Sequence, residues 1–343
     1  MVSGVFVVIS CDVDPDRERF LDDVPRGRLT WRGVDEGIPA LRESVRGVLD
    51  AAGHEPVFTW FLRADHQIRS LQGSYAWLAS SHAALFASLR ATGDELGWHP
   101  HFWQQEAEGG PWFQEIANIA WQVDMLKAAH RELAATVPVK PVSVRMGWSY
   151  HNNETMRTLD ELGIAVDLSA LPGYRTFNPE RTRAENLFDW FASPRGPYHP
   201  SRSDYRRPAR GAETPLRILE VPSFMSHSAA WSIVGGAQLA RKTGELARLT
   251  DAIRRPTYCI NVTARPRYFA PLVAELRRAV RRHDGPLVFE THFHPDELVP
   301  NRSALYDLAA VRSNLEAVLR VCHEARTPVT FVPAGRLPAL RAA

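Results

Sequence analysis

Val5-Phe6-Val7-Val8-Ile9-Ser10-Cys11-Asp12-Val13-Asp14 is the stretch on which the fold turns. Its apolar run, rich in Val and Ile, reads as a buried strand that ends in two carboxylates spaced i and i+2. Successive strand residues face opposite sides, so Asp12 and Asp14 point the same way while Val13 points the other. Two more pairs repeat the pattern: His99 and His101 after Glu95 to Trp98, and His292 and His294 after Pro286 to Thr291. If these three strands lie side by side, their polar ends converge. Two carboxylates and up to four imidazoles in one place suit a divalent metal with a general base and a general acid beside it.

Working outward, β-rich runs recur at Pro56 to Leu62, Lys140 to Met146, Ile164 to Leu168, Leu216 to Val221, Thr257 to Thr263 and Pro328 to Val332. Amphipathic helical stretches separate several of them: Ile38 to Ala51, Ala83 to Ala91, Phe113 to Leu133, Glu154 to Leu162, Tyr268 to Arg281 and Leu305 to Ala325. Alternating strand and helix predicts an α/β fold with a parallel sheet, and about eight repetitions predict a closed or nearly closed (β/α) barrel. The chemistry of such barrels sits at the carboxyl ends of the strands, where all three polar pairs fall. No linker divides residues 1–343, which predicts one domain. The alternation breaks at 171–215, a stretch rich in Arg, Pro, Gly and aromatics, read as a lid or substrate-recognition insertion.

The composition narrows the function classes. With 41 basic against 39 acidic groups the net charge is +2, so no global field marks a nucleic-acid binder. Cys11, Cys259 and Cys322 form an odd, widely spaced trio without CxxC, which excludes a disulfide scaffold and a cysteine zinc knuckle. The amino terminus lacks a basic leader and a cleavage site, and no run approaches the roughly 20 apolar residues of a membrane span. The expectation is a cytoplasmic protein with a small-molecule or carbohydrate substrate, no nucleic-acid partner and no membrane span; a homo-oligomer is compatible with it.

Within the motifs, one carboxylate of Asp12-Val13-Asp14 can ligate a metal while the other stays free as a base. His99-Pro100-His101 adds two imidazoles, and two His with one Asp leave a position open for water. One of His292 and His294 can serve as a general acid, since imidazole titrates near neutral pH; ligation is the competing role. Arg145, closing the fourth β-run, is expected to pair with Asp12 or Asp14. Trp98, Trp103 and Trp148 flank these motifs, as stacking surfaces for sugar faces or as core.

Read in order, Ser10-Cys11-Asp12-Val13-Asp14, Thr59-Trp60-Phe61-Leu62, Asp94-Glu95-Leu96-Gly97-Trp98-His99, Val144-Arg145-Met146-Gly147, Leu219-Glu220-Val221-Pro222 and His292-Phe293-His294-Pro295 resemble the motif series of the polysaccharide deacetylases, the NodB-homology or carbohydrate esterase 4 family. The resemblance spans nearly the whole chain. It implies a distorted (β/α)7-8 barrel, one divalent metal held by one Asp and two His, and hydrolysis of an N-acyl or related non-peptide C–N amide bond; the imidazole donors favour zinc, and the expected substrate is an N-acetyl or N-formyl amino sugar or related cytoplasmic intermediate. Asp12 matches the family's base, Asp14 and His99 its metal ligands, Arg145 the residue that orients the base, and His294 the acid, with His292 the second candidate. Glu220 joins Trp98, Trp103 and Trp148 as a substrate-binding expectation. One departure stands out: the family's second metal histidine lies four residues after the first, where this chain has Trp103, so His101 is expected to replace it. A cyclic amide or ureide hydrolase, and an inactive carbohydrate-binding relative, are the rival readings.

Overall fold

The computed structural model describes residues 4–16, 29–105, 107, 110, 112–175, 188–243, 246–282, 285–300 and 304–342. Among these residues the strands are β1 (Val5–Val13), β2 (Phe58–Arg63), β3 (Glu95–His99), β4 (Trp103–Gln105), β5 (Trp112–Gln114), β6 (Ser143–Val144), β7 (Val166–Asp167), β8 (Leu219–Glu220), β9 (Leu287–Phe293) and β10 (Val329–Phe331). Strand β1 is buried along its whole length, as a central parallel strand covered on both faces must be. It pairs with β9 on one edge; on the other it pairs with β10 at its start and β2 towards its end. The sheet continues through β3, β6 and β7 to β8, with every pairing parallel. Between β8 and β9 the backbone bonds run from Phe224 N–H to Glu290 O (3.0 Å) and from Val262 N–H to His292 O (3.0 Å). The result is a curled, distorted barrel.

Alternation along the strands separates two apolar clusters. Val5, Val7, Ile9, Cys11 and Val13 join Trp60, Trp98 and helix residues such as Leu126 and Leu315 in the layer between sheet and helices. Phe6 and Val8 join Phe61, Val166, Leu219 and Val288 inside the curl. Burying each such side chain contributes about 1.5–3 kcal/mol. The inward face of β1 therefore runs Phe6, Val8, Ser10, Asp12: an apolar plug that turns polar at the carboxyl end.

The helices start on side-chain caps: Asp65 caps His66–Gln72, Asn118 caps Ile119–Thr136, Asn152 caps Asn153–Leu162 in a capping box, and Asp307 caps Leu308–Glu324. Among the described residues no helix is long and apolar enough to cross a membrane. Two sequence expectations are corrected. Thr257 to Thr263 is not a strand; Tyr258 makes an isolated bridge to Ser226, so its backbone bonds go to a loop. The stretch expected as one helix from Phe113 to Leu133 opens with β5, which pairs antiparallel with β4.

Of the 171–215 insertion, 176–187 lie outside the described residues, Arg181 and Arg183 with them. The rest packs against the segment after β6. Trp190 is fully buried and donates from Nε1 to Ser149 O (2.7 Å), and Tyr205 N–H donates to Asn153 Oδ1 (3.0 Å).

Candidate active site

The inward side chains at the strand ends build the site. Asp14, His99 and His101 bring one ligand atom each to within 4.8 Å of the others. His99 Nε2 lies 3.0 Å from His101 Nε2 and 3.4 Å from Asp14 Oδ2, and His101 Nε2 lies 3.7 Å from Asp14 Oδ1. Ligands at zinc–nitrogen and zinc–oxygen bond lengths in a tetrahedron stand about 3.3 Å apart, so this triad has the spacing a shared ion needs. The tautomer fits as well. His99 Nδ1 is 2.7 Å from Arg145 O, which as acceptor fixes the proton on Nδ1 and leaves the Nε2 lone pair to the cluster.

Space for the His101 ring comes from Gly147: a Cβ there would overlap the imidazole. The next two residues, Trp148 (φ 53°) and Ser149 (φ 56°), occupy the left-handed region without being glycine. Such strain costs on the order of 1–3 kcal/mol per residue, and the Trp190 bond to Ser149 O braces the turn. The half-exposed Trp148 stands edge-on to Trp103 (4.6 Å between ring centroids), which stacks on His101 at 6.1 Å.

Beside the triad, Asp12 Oδ1 lies 3.1 Å from Arg145 Nε, an ion pair not aligned as a hydrogen bond. Arg145 Nη2 also donates to Ser10 Oγ (2.8 Å) and to Glu290. Burial would raise the Asp12 carboxyl, but Arg145, His99, His294 and His292 together hold it below the usual carboxylate value. Asp14 sits well below that value, with His99, Arg63 and His101 outweighing burial. Burial and the Arg63 charge push His101 down to about 4, while Asp14 and Asp12 overcome burial at His99 and raise it.

His294 closes the far side, with Nε2 3.9 Å from Asp12 Oδ2 and Nδ1 3.2 Å from Glu297 Oε1. Glu297 is held by Asn261 Nδ2 (2.7 Å) and by Thr263. Its neighbour His292 is pushed down to about 3 by burial and Arg145, so it is neutral at physiological pH.

Two substrate-binding expectations are corrected by strand alternation. Trp98 lies between the inward Gly97 and His99, so it faces the helices, fully buried, with Nε1 on Ala64 O (2.9 Å) and its ring against His130. Glu220 lies between the inward Leu219 and Val221, so it faces away from the site. It is fully buried, accepts from Ala170 N–H (2.8 Å) and sits beside Asp167, and burial with that second carboxyl raises it well above the usual value. Three of the insertion's arginines form ion pairs within the protein: Arg175 with Asp251, Arg206 with Asp189 and Asp204, and Arg207 with Glu213. Sequence reasoning missed Arg63, Asp65, Glu290 and Glu297. For Arg63 a signal exists, since Thr59, Phe61 and Arg63 share one face of β2.

No family model and no curated protein matches the chain. Solved structures do. A Parabacteroides distasonis protein with the provisional name glycoside hydrolase/deacetylase superposes with a TM-score of 0.60 at 13% identity, covering 99% of this chain and 71% of its own. An allantoinase gives 0.50 at 12% identity, covering 99% and 90%. A Mycobacterium smegmatis protein provisionally named polysaccharide deacetylase gives 0.49 at 16% identity, covering 100% and 92%. The likeness to the first two shows a shared fold, the distorted (β/α) barrel expected from the motif series.

Proposed function

We propose that this protein is a metal-dependent hydrolase that removes an acetyl or formyl group from the nitrogen of an amino sugar or a related small biosynthetic intermediate. The observation that carries this reading is the meeting of Asp14, His99 and His101 at ligand spacing, directly beside the Asp12–Arg145 pair. A divalent ion on those three residues, zinc first by the donor set, supplies Lewis acidity toward an acyl oxygen and lowers the pKa of water. Asp12, held ionised by Arg145, takes the proton of the attacking water. His294, its ring oriented by Glu297, gives a proton to the departing amine, and neutral His292 lines the site.

Trp148, partly exposed, is the aromatic wall against which a sugar face would lie; Trp103 is fully buried behind it, between Trp148 and His101, so the expectation that it meets substrate is corrected. The 171–215 insertion braces that wall in this reading. The protein acts in the cytoplasm, on a substrate smaller than a mature polysaccharide, within one catalytic domain. Ring opening of a cyclic amide is the second reading, favoured by the likeness in fold to an allantoinase over 99% of this chain. Both reactions break a C–N amide bond with the same groups.

Amine release from a panel of N-acetyl and N-formyl amino sugars, run beside a panel of cyclic ureides, separates them. Chelator-sensitive release from an N-acyl sugar, restored by zinc, is expected. Turnover of the cyclic ureides alone would replace this reading with the second. Glycan binding without bound metal or turnover would leave a binding protein.

A further inference from the structure

The HxH spacing raises a physical question, because His101 lies beyond the end of β3 and past Pro100, where no sheet pairing holds it. Its backbone N–H donates instead to Asp65 Oδ2 (3.0 Å). The other oxygen, Asp65 Oδ1, accepts from Ile68 N–H (3.1 Å) and so ties the carboxylate to the start of the helix His66–Gln72. Asp65 also pairs with Arg63. Arg63 lies beside His99 in the β2–β3 register, is almost wholly buried, and donates from Nη1 to Asp14 Oδ1 (2.6 Å) and from Nη2 to Gln67 Oε1 (2.8 Å). Two members of the metal-capable triad are thus held from one short segment, 63–67: His101 through its backbone and Asp14 through its carboxylate.

The charges matter as much as the bonds. A guanidinium fixed on Asp14 repels a divalent cation, and a carboxylate on that guanidinium offsets the repulsion. We propose that Asp65 is the positioning residue of the metal site: it holds His101 in place of the usual more distant histidine and neutralises Arg63, which in turn orients Asp14 so that Oδ2 faces His99. The proposal rests on the metal-site reading above and concerns affinity for the ion, not turnover.

Zinc affinity of the full chain, measured by competition with a chromogenic chelator, tests it in four proteins: wild type, Asp65→Asn, His101→Ala and the double variant. Asp65→Asn keeps the shape and loses the charge, and circular dichroism verifies its fold. Removing such an outer partner typically weakens metal binding about 10- to 100-fold, and a loss of that size is expected. Because Asp65 acts partly through His101, the two losses should be less than additive in the double variant. Wild-type affinity in Asp65→Asn, or strictly additive losses, would overturn the proposal. A wild-type protein that binds no zinc would instead overturn the metal-site reading.

Discussion

Gly147 leaves open the space that the His101 imidazole fills, and any Cβ at 147 would overlap that ring. Substituting Gly147→Ala should therefore displace His101 without disturbing the strands, since the collision is with one side chain. Zinc affinity is expected to fall at least about 10-fold, as for loss of a ligand's support, with the circular dichroism spectrum unchanged. Unchanged affinity in that variant would remove His101 from the ligand set.

Asp12 and Asp14 lie two residues apart yet have different neighbours, Arg145 for one and Arg63 for the other. Asp12→Asn should leave zinc binding close to wild type and lower kcat by about 10²- to 10⁴-fold, the range for loss of a general base. Zinc titration and steady-state kinetics on the same preparation check it. Substantial turnover in this variant would assign the base elsewhere.

Glu220 offers a test of the buried interior. Its folded-state value is raised above the ordinary 4.5. A raised group favours the folded state below its unfolded value, and that stability is lost as pH climbs through the folded value. The wild-type Tm should accordingly fall, relative to Glu220→Gln, as pH rises above about 4.5. The Gln side chain can accept from Ala170 N–H and donate to Asp167, so the variant keeps both contacts without the titration. Parallel Tm curves for the two proteins across pH 4 to 8 would show that Glu220 is not held protonated.

The insertion is predicted to act as a brace. Trp190→Phe keeps the ring in its pocket against Tyr205 and removes the Nε1–H bond to Ser149 O. Losing this part-buried hydrogen bond costs about 0.5–1.5 kcal/mol, readable by denaturant titration. With the Trp148–Ser149 turn loosened, KM should rise more than kcat falls. Equal stability of the two proteins would separate the insertion from the turn.

Strand alternation explains how much of this was legible in the sequence. Phe6, Val8, Ser10 and Asp12 share one face of a continuous apolar run, so the order of residues alone reveals both the central strand and its polar tip. The same rule also yields Arg63, on the face of Thr59 and Phe61, and excludes Trp98, because the adjacent His99 shows which face of that strand points inward; Glu220, between two apolar residues, has no such marker. What alternation cannot supply is the partner across the barrel. The Arg145–Glu290 and Arg63–Asp14 pairs depend on how the strands are ordered and registered in the sheet, and neither has a local signature. Thr257 to Thr263 misleads because its β-favouring residues make isolated backbone bonds, Tyr258 with Ser226 and Val262 with His292, instead of a ladder. The helix Ala229–Thr243 is obscured by Gly235 and Gly236; a Cβ at Gly236 would collide with Ala252 of the helix Ala247–Arg254 packed against it.

The most direct test of the central claim is an anomalous difference map recorded at the zinc edge from crystals grown with zinc. One peak is predicted, within about 2.0–2.2 Å of Asp14 Oδ2, His99 Nε2 and His101 Nε2. A peak bound by other residues, or full zinc occupancy elsewhere with this triad empty, would contradict the account.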